Sequence, residues 1–300
     1  MYQKRRVHVL DSYISYIDTR AGEETVIFLH GNLSYSYTWR NIIPRVDGYA
    51  RCLAPDLLGH GDSAKDPSEA YSFLTHYNYL DAWIESTRLP QKLIIVGHDW
   101  GVALGALWAS RNPSRVKAFV HLEGVVGVFS SWNGVNLSPG LSELYHRIRD
   151  PDDDEGRTLA TTKNILMDTL MTKMTLERVI GSYELSGIQR PYTKPGEARK
   201  AAVAWIRQLP VQGEGQNGVA EIMKDIHGFM EDSDEIPKLY IHANPGQYST
   251  HVSEATQGWS QQQRIEVEGG HFPHEDDPEA VGEAIGTFVQ SFARMGFRRP

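Results

Sequence analysis

Cysteine is almost absent from this 300-residue chain, with Cys52 alone. No intrachain disulfide can form, which fits a reducing compartment. Cys52 sits in Arg51-Cys52-Leu53-Ala54-Pro55, which reads as a buried strand, so its thiol is expected to be packed rather than reactive. Long apolar runs are also lacking. No stretch approaches the roughly 18 apolar residues of a membrane span, and Met1-Tyr2-Gln3-Lys4-Arg5-Arg6-Val7 has no apolar centre of a secretion signal. A cytoplasmic protein with no membrane partner is expected. Basic charge is in deficit: 30 Lys and Arg against 38 Asp and Glu give a formal net charge of -8 and a pI near 5.8. That balance argues against a nucleic-acid partner. Lys4-Arg5-Arg6 is too short to reverse it. Internal repeats and low-complexity segments are missing too.

What is present is an alternation of short β-rich and helical runs. Val7–Leu10 and Tyr13–Ile17 alternate and read as a hairpin joined at Asp11-Ser12. Thr25–Leu29, the run around Leu53, Leu93–Val96 and Val116–Leu122 read as buried strands. Helical stretches lie between them around Thr38–Pro44, Thr75–Ser86 and Val102–Arg111. This alternation predicts an α/β fold: a mostly parallel sheet flanked by helices, with ligands at the carboxyl ends of the strands. From Leu141 to about Arg207 the pattern is helical, over Leu141–Arg149, Leu159–Met171, Leu176–Tyr183 and Gly196–Arg207. The acidic run Asp150–Glu155 reads as a solvated turn. Strands return at Lys238–His242 and Arg264–Val267. A last helix follows, capped by Asp277, with Val281, Ile285, Phe288, Val289 and Phe292 on one face. The expected organisation is a core over 1–127, an inserted helical cap over 128–235, and the rest of the core over 236–300.

The chemistry is concentrated in Gly97-His98-Asp99-Trp100-Gly101, between an apolar strand and a helix. Strand, Gly-x-nucleophile-x-Gly, helix is the nucleophile-elbow pattern. Its central residue is a carboxylate, which is ionised at neutral pH and needs no base to attack a saturated carbon. Asp99 is therefore the expected nucleophile. His271, in Gly269-Gly270-His271-Phe272 after the last strand, is the expected base. Glu123, ending the strand Phe119–Leu122, is the expected acid that orients it. Asn244 occupies the other common acid location but carries no charge. Asn32, in His30-Gly31-Asn32, and the indole of Trp100 supply two donors for a developing anion. No metal is expected, because the spacing of His271-Phe272-Pro273-His274-Glu275-Asp276-Asp277 matches no metal motif. Asp56-Leu57-Leu58-Gly59-His60-Gly61-Asp62-Ser63 lacks the Lys-Ser/Thr of a phosphate cradle and reads as a structural turn.

With these residues in order, the chain resembles the haloalkane dehalogenase branch of the α/β-hydrolases. The match runs through His30-Gly31-Asn32, Asp56-x-x-Gly59-x-Gly61-x-Ser63, the Asp99 elbow, Glu123 and Gly270-His271-Phe272. Epoxide hydrolases share an Asp elbow, but usually carry His-Gly-x-Pro where Leu33 stands here. Within the branch the chain looks most similar to Renilla-type coelenterazine luciferases, through Val9–Tyr16, Ala50–Leu53, Val96–Gly101, His121–Val126 and Ser131-Trp132. Leu33 also departs from the proline common in bacterial dehalogenases. The resemblance implies the same five roles for Asp99, His271, Glu123, Asn32 and Trp100. It ranks cofactor-independent oxidation of coelenterazine by dioxygen, with light emission, first. Hydrolysis of haloalkanes by water is the alternative, and a silent binding scaffold comes last because all five site residues are present. The implied partners are these small molecules, and the protein is expected to act as a monomer. Candidate substrate contacts are Leu33, Val125, Phe129, Trp132, Leu166, Met167, Tyr248 and Phe272. Gln247, in Asn244-Pro245-Gly246-Gln247-Tyr248, stands where the sea-pansy-type enzyme has an aromatic residue.

Overall fold

Runs of Val, Ile, Leu and Phe become the interior strands of one sheet. The computed structural model describes residues 2–66, 71–150, 152–168, 177–214 and 218–296. The strands are β1 (Lys4–Val9), β2 (Ser12–Asp18), β3 (Glu24–Leu29), β4 (Ala50–Pro55), β5 (Leu93–His98), β6 (Val116–Leu122), β7 (Lys238–Pro245) and β8 (Gln262–Gly269). They lie in the order β1-β2-β4-β3-β5-β6-β7-β8. The first hairpin pairs antiparallel, as does β2 with β4, and every later pairing is parallel. All six residues of the central strand β5 are buried, as befits a parallel strand covered on both faces.

The first helices are α1 (Ile43–Val46), α2 (Phe73–Ser86) and α3 (Trp100–Arg111). Between β6 and β7 come α4 (Trp132–Val135), α5 (Pro139–Arg149), α6 (Asp154–Thr161), α7 (Ser182–Gln189), α8 (Glu197–Arg207) and α9 (Val219–Asp232). The chain closes with α10 (Ser249–Ala255), α11 (Pro273–Asp276) and α12 (Pro278–Gly296). One face of the sheet packs on α2, α3 and α9 through residues such as Trp83, Leu104 and Met223. The other packs on α1 and α12 through Ile43, Ile285 and Val289. Asp277 accepts a hydrogen bond from the Ala280 N–H at 3.0 Å, capping α12 as its sequence predicts.

The helical segment departs from its sequence reading in three places. The helix expected over Leu159–Met171 stops at Thr161. Asn164 then takes a left-handed conformation (φ 59°) that a helix cannot continue through. Helical turns resume over 165–168, and the remaining positions of that expectation, 169–171, lie outside the described residues, as does Leu176. Residues 177–181 are not helical, so the helix expected over Leu176–Tyr183 begins only at Ser182, as α7. The helix α9 was not anticipated. Its buried Val219, Met223, Ile226 and Met230 follow helical spacing and pack toward α3. The acidic turn also starts a helix, since Asp153 accepts from the Gly156 N–H at 2.7 Å and caps α6.

Candidate active site

The parallel strands end at one edge, and five of their ends carry the polar residues of the site. Leaving β5, the chain turns at Asp99 with φ 51° and ψ −124°. A non-glycine residue in this sparsely populated region stores about 1–3 kcal/mol of strain. The flanking glycine makes the turn possible. A Cβ on Gly101 would stand 2.2 Å from the Leu29 carbonyl oxygen, so helix α3 can start against β3 only without a side chain there. A Cβ on Gly31 would lie 2.3 Å from the Cβ of Asp99. The loop after β3 can therefore approach the carboxylate, and the Asn32 backbone N–H donates to Asp99 Oδ2 at 2.7 Å.

Asp99 is 2% exposed. Burial pushes its carboxyl up to about 6, while His271 and the Asn32 and Trp100 backbone N–H groups pull it down. It is mostly ionised at neutral pH, as its sequence context predicts, but with little margin.

His271, beyond β8, turns Nε2 toward Asp99 Oδ1 at 4.0 Å. Its Nδ1 faces Glu123 Oε2 at 3.2 Å, which fixes Nδ1–H as the donor and leaves Nε2 bare. Glu123 is fully buried. It is held by the Gln247 N–H at 2.8 Å, the Tyr248 N–H at 2.7 Å and the Ser249 hydroxyl at 2.5 Å. A buried charge needs such partners. The loop after β7, where Asn244 was the rival position, thus serves by holding Glu123. Asn244 itself is exposed and donates to Glu266 at 3.2 Å. Behind the His271 ring, His98 Nε2 donates to the His271 carbonyl at 2.7 Å.

A small cavity opens over Asp99. It is lined by Asn32, Leu33, Asp99, Trp100, Tyr145, Trp205, Ile206, Leu209, Gln247, Tyr248, His271 and Phe272, and has a volume of about 30 Å³. Among the described residues the Trp100 indole N–H has no partner, and its ring stacks on Trp205 at 4.6 Å. Asn32 spends one amide N–H on the Ala202 carbonyl at 3.1 Å, tying the core loop to α8. Its second remains for the cavity.

Of the substrate contacts expected from sequence, Leu33, Tyr248 and Phe272 line this cavity. Five others do not. Leu166 and Met167 are buried in one hydrophobic cluster with Leu33, Tyr145 and Phe272. Val125 supports the elbow, its N–H donating to the Asp99 carbonyl at 3.1 Å. Phe129 bridges to Val211 and stacks on His251. Trp132 donates to Glu214 at 2.7 Å and packs beside Arg149. These apolar side chains satisfy the packing of the helices instead. Tyr145, Trp205, Ile206 and Leu209 take their place, and Ser249 is an unanticipated partner of Glu123. The apolar face of α8 was visible as helical spacing, but spacing alone does not separate a core face from a cavity wall. Asp56 explains the glycine-rich turn: it accepts from the Ser36 N–H at 2.9 Å and the Asp62 N–H at 2.7 Å.

An aspartate elbow facing a His–Glu pair defines a site able to form and then hydrolyse an ester on a carboxylate. The sequence profile of the alpha/beta hydrolase fold matches residues 24–278, and the chain belongs to that family as one of its enzymes. A haloalkane dehalogenase of Sphingobium indicum is 35% identical over 292 residues, spanning 96% of this chain and 95% of its own length. A coelenterazine h 2-monooxygenase of Renilla reniformis is 34% identical over 287 residues, spanning 95% of this chain and 90% of its own. The solved haloalkane dehalogenase DbeA from Bradyrhizobium elkani superposes with a TM-score of 0.90 at 27% identity, covering 98% and 99% of the two chains. Among the described residues no helix is long and apolar enough to cross a membrane.

Proposed function

We propose that this chain hydrolyses small haloalkanes through an ester on Asp99, acting as a monomer without cofactor. The observation that carries the reading is the division of labour between the two carboxylate oxygens. Oδ2 sits on the Asn32 N–H at 2.7 Å, and Oδ1 faces His271 Nε2 across 4.0 Å. Asp99 attacks the carbon bearing the halogen, and the bond electrons leave with the halide. The Trp100 indole N–H and the free Asn32 amide N–H hydrogen-bond that anion. Water between His271 and the ester then gives a proton to Nε2 and attacks the carbonyl carbon. The charge that develops on the ester oxygen rests on the backbone N–H groups, and Glu123 stabilises the imidazolium. Collapse breaks the bond between the carbonyl carbon and the alkyl oxygen, the alkoxide takes the proton from His271 and leaves as the alcohol, and Asp99 returns to its carboxylate as its proton passes to solvent. The small cavity suits a short alkyl chain. Bromide release from 1-bromobutane by the purified protein tests this directly. Absence of release above the Asp99→Ala background would remove the reading.

Oxidation of coelenterazine by dioxygen is the second reading, ranked first by sequence resemblance. The Renilla relative and the aromatic wall of Trp100, Tyr145, Trp205, Tyr248 and Phe272 favour it. Sites for drug-sized ligands run to about 300–1,000 Å³, so a large flat heterocycle requires the cap to move outward. Light from coelenterazine in air, surviving a chelator and falling at least tenfold in Asp99→Ala, would support this reading. A dark parent that releases bromide would exclude it.

A further inference from the structure

The glycine-rich turn after β4 carries one side chain that the turn itself does not need. Asp56 already holds the turn, yet His60 is fully buried and uses both ring nitrogens on distant elements. The Trp205 indole on α8 donates to Nε2 at 3.0 Å. An indole N–H can only donate, so Nε2 is bare and the proton sits on Nδ1. Nδ1–H then donates to the Tyr192 hydroxyl at 2.9 Å, and that hydroxyl donates to the Ser34 carbonyl at 2.9 Å. Burial, with His30 and His76 nearby, pushes this imidazole well below its ordinary range, so the neutral tautomer persists at neutral pH. Trp205, His60, Tyr192 and Ser34 are all buried. They form one directed chain, from α8 through the turn to the loop that carries Asn32.

The chain ends where the two anion donors are supported. Trp205 stacks on Trp100 at 4.6 Å and on His76 at 4.1 Å. Aromatic stacking accepts a range of offsets. Among the described residues neither His76 nitrogen has a hydrogen-bond partner, so the bond to His60 is what fixes the direction of the Trp205 ring. Ala202 lies three residues earlier on α8, on the same helix face, and its carbonyl accepts the Asn32 side-chain N–H at 3.1 Å. One face of α8 therefore backs both donors. We propose that His60 is a positioning residue for the anion site. Through Trp205 it holds α8 at the setting that keeps the Trp100 indole N–H and the Asn32 amide N–H on the departing halide. The inference rests on the proposed role of these two donors. His60 touches no reacting atom. Its loss should weaken halide binding and slow alkylation, where the donors act. Ester hydrolysis draws on His271 and on backbone N–H groups set by the elbow, so it should be spared.

The test compares His60→Gln with His60→Asn in the full-length protein. The Gln amide reaches the place of Nε2 and can accept from Trp205. The shorter Asn amide reaches only the place of Nδ1, so it keeps Tyr192 and loses Trp205. Bromide affinity is read from quenching of tryptophan fluorescence, and stopped-flow kinetics with 1-bromobutane separate alkylation from hydrolysis. His60→Asn should weaken bromide binding and slow alkylation about tenfold each, the worth of about one buried hydrogen bond, with hydrolysis within about twofold of the parent. His60→Gln should stay within about threefold of the parent in all three quantities. Should His60→Asn not fold, Trp205→Phe, which keeps a ring and loses the N–H, must show the pattern expected of it. Equal slowing of both steps, unchanged bromide affinity, or the same loss in His60→Gln as in His60→Asn overturns the role of His60 and leaves Asp99 as nucleophile. A parent that releases no bromide above the Asp99→Ala background removes the reading on which the inference rests.

Discussion

Replacing Asp99 with Asn should stabilise the protein while stopping its chemistry. The carboxyl is buried, and its pKa rises from an ordinary 3.8 to about 6. At neutral pH and above, the folded state therefore carries a charge it holds less well than the unfolded chain does. The difference corresponds to about 3 kcal/mol of lost stability, at 1.36 kcal/mol per tenfold change in proton affinity. Asparagine removes the charge and keeps the geometry: its oxygen can accept from the Asn32 N–H, and its NH₂ can donate to the bare Nε2 of His271. The sign also fixes the pH dependence. The penalty is fully present above the folded value of about 6 and fades as pH falls toward 3.8. Urea unfolding followed by tryptophan fluorescence should show the variant about 3 kcal/mol more stable than the parent near pH 8, and roughly half that near pH 5. A variant no more stable than the parent near pH 8, or a gap independent of pH, would refute the claim that burial strains this carboxylate.

Several outcomes concern the chemistry itself. In the parent, the alkylation rate should fall as pH drops through about 6, because protonated Asp99 is not a nucleophile; a flat profile down to pH 5 in stopped-flow alkylation would contradict this. His271→Phe should accumulate the alkyl ester on Asp99 after bromoalkane treatment, visible as an intact-mass adduct, since no base remains to activate water. Removing the donor of Asn32 or Trp100 should each cost about 2.7–4 kcal/mol in kcat/KM, with the double variant much less than additive. Full additivity would mean the two serve separate purposes. Glu123→Gln should slow ester hydrolysis at least tenfold, about 1.4 kcal/mol, and slow alkylation less; equal slowing of both steps would deny it the role of supporting the imidazolium.

The residues proposed to react could be picked out because their backbone context is demanding. The Asp99 elbow needs small residues at fixed offsets, since a Cβ on Gly101 would stand 2.2 Å from the Leu29 carbonyl oxygen. His271 and Glu123 end strands whose apolar runs are easily read, and a buried glutamate beside such a strand has to find partners. The cavity wall was less legible. Phe129, Trp132, Leu166 and Met167 and the true lining residues Tyr145, Trp205, Ile206 and Leu209 are the same kinds of side chain on the same kinds of helix. Which of them faces the cavity depends on how the helices cross, and local spacing does not encode that crossing. Asn164 shows the same limit at shorter range: its left-handed turn ends a helix that its neighbours' spacing would extend. The holders of Glu123 were hidden for another reason. Two of the three bonds come from the backbone N–H groups of Gln247 and Tyr248, which every non-proline residue possesses.

The central claim is that Asp99 attacks carbon before water does. A single turnover in ¹⁸O-water, with enzyme in excess over 1-bromobutane, separates the two orders. If the ester forms, water attacks its carbonyl carbon, so the butanol keeps an unlabelled oxygen from Asp99 and the peptide containing Asp99 gains one heavy oxygen. Labelled butanol with an unlabelled Asp99 peptide would mean that water attacked the substrate directly, and the nucleophile assignment would be wrong.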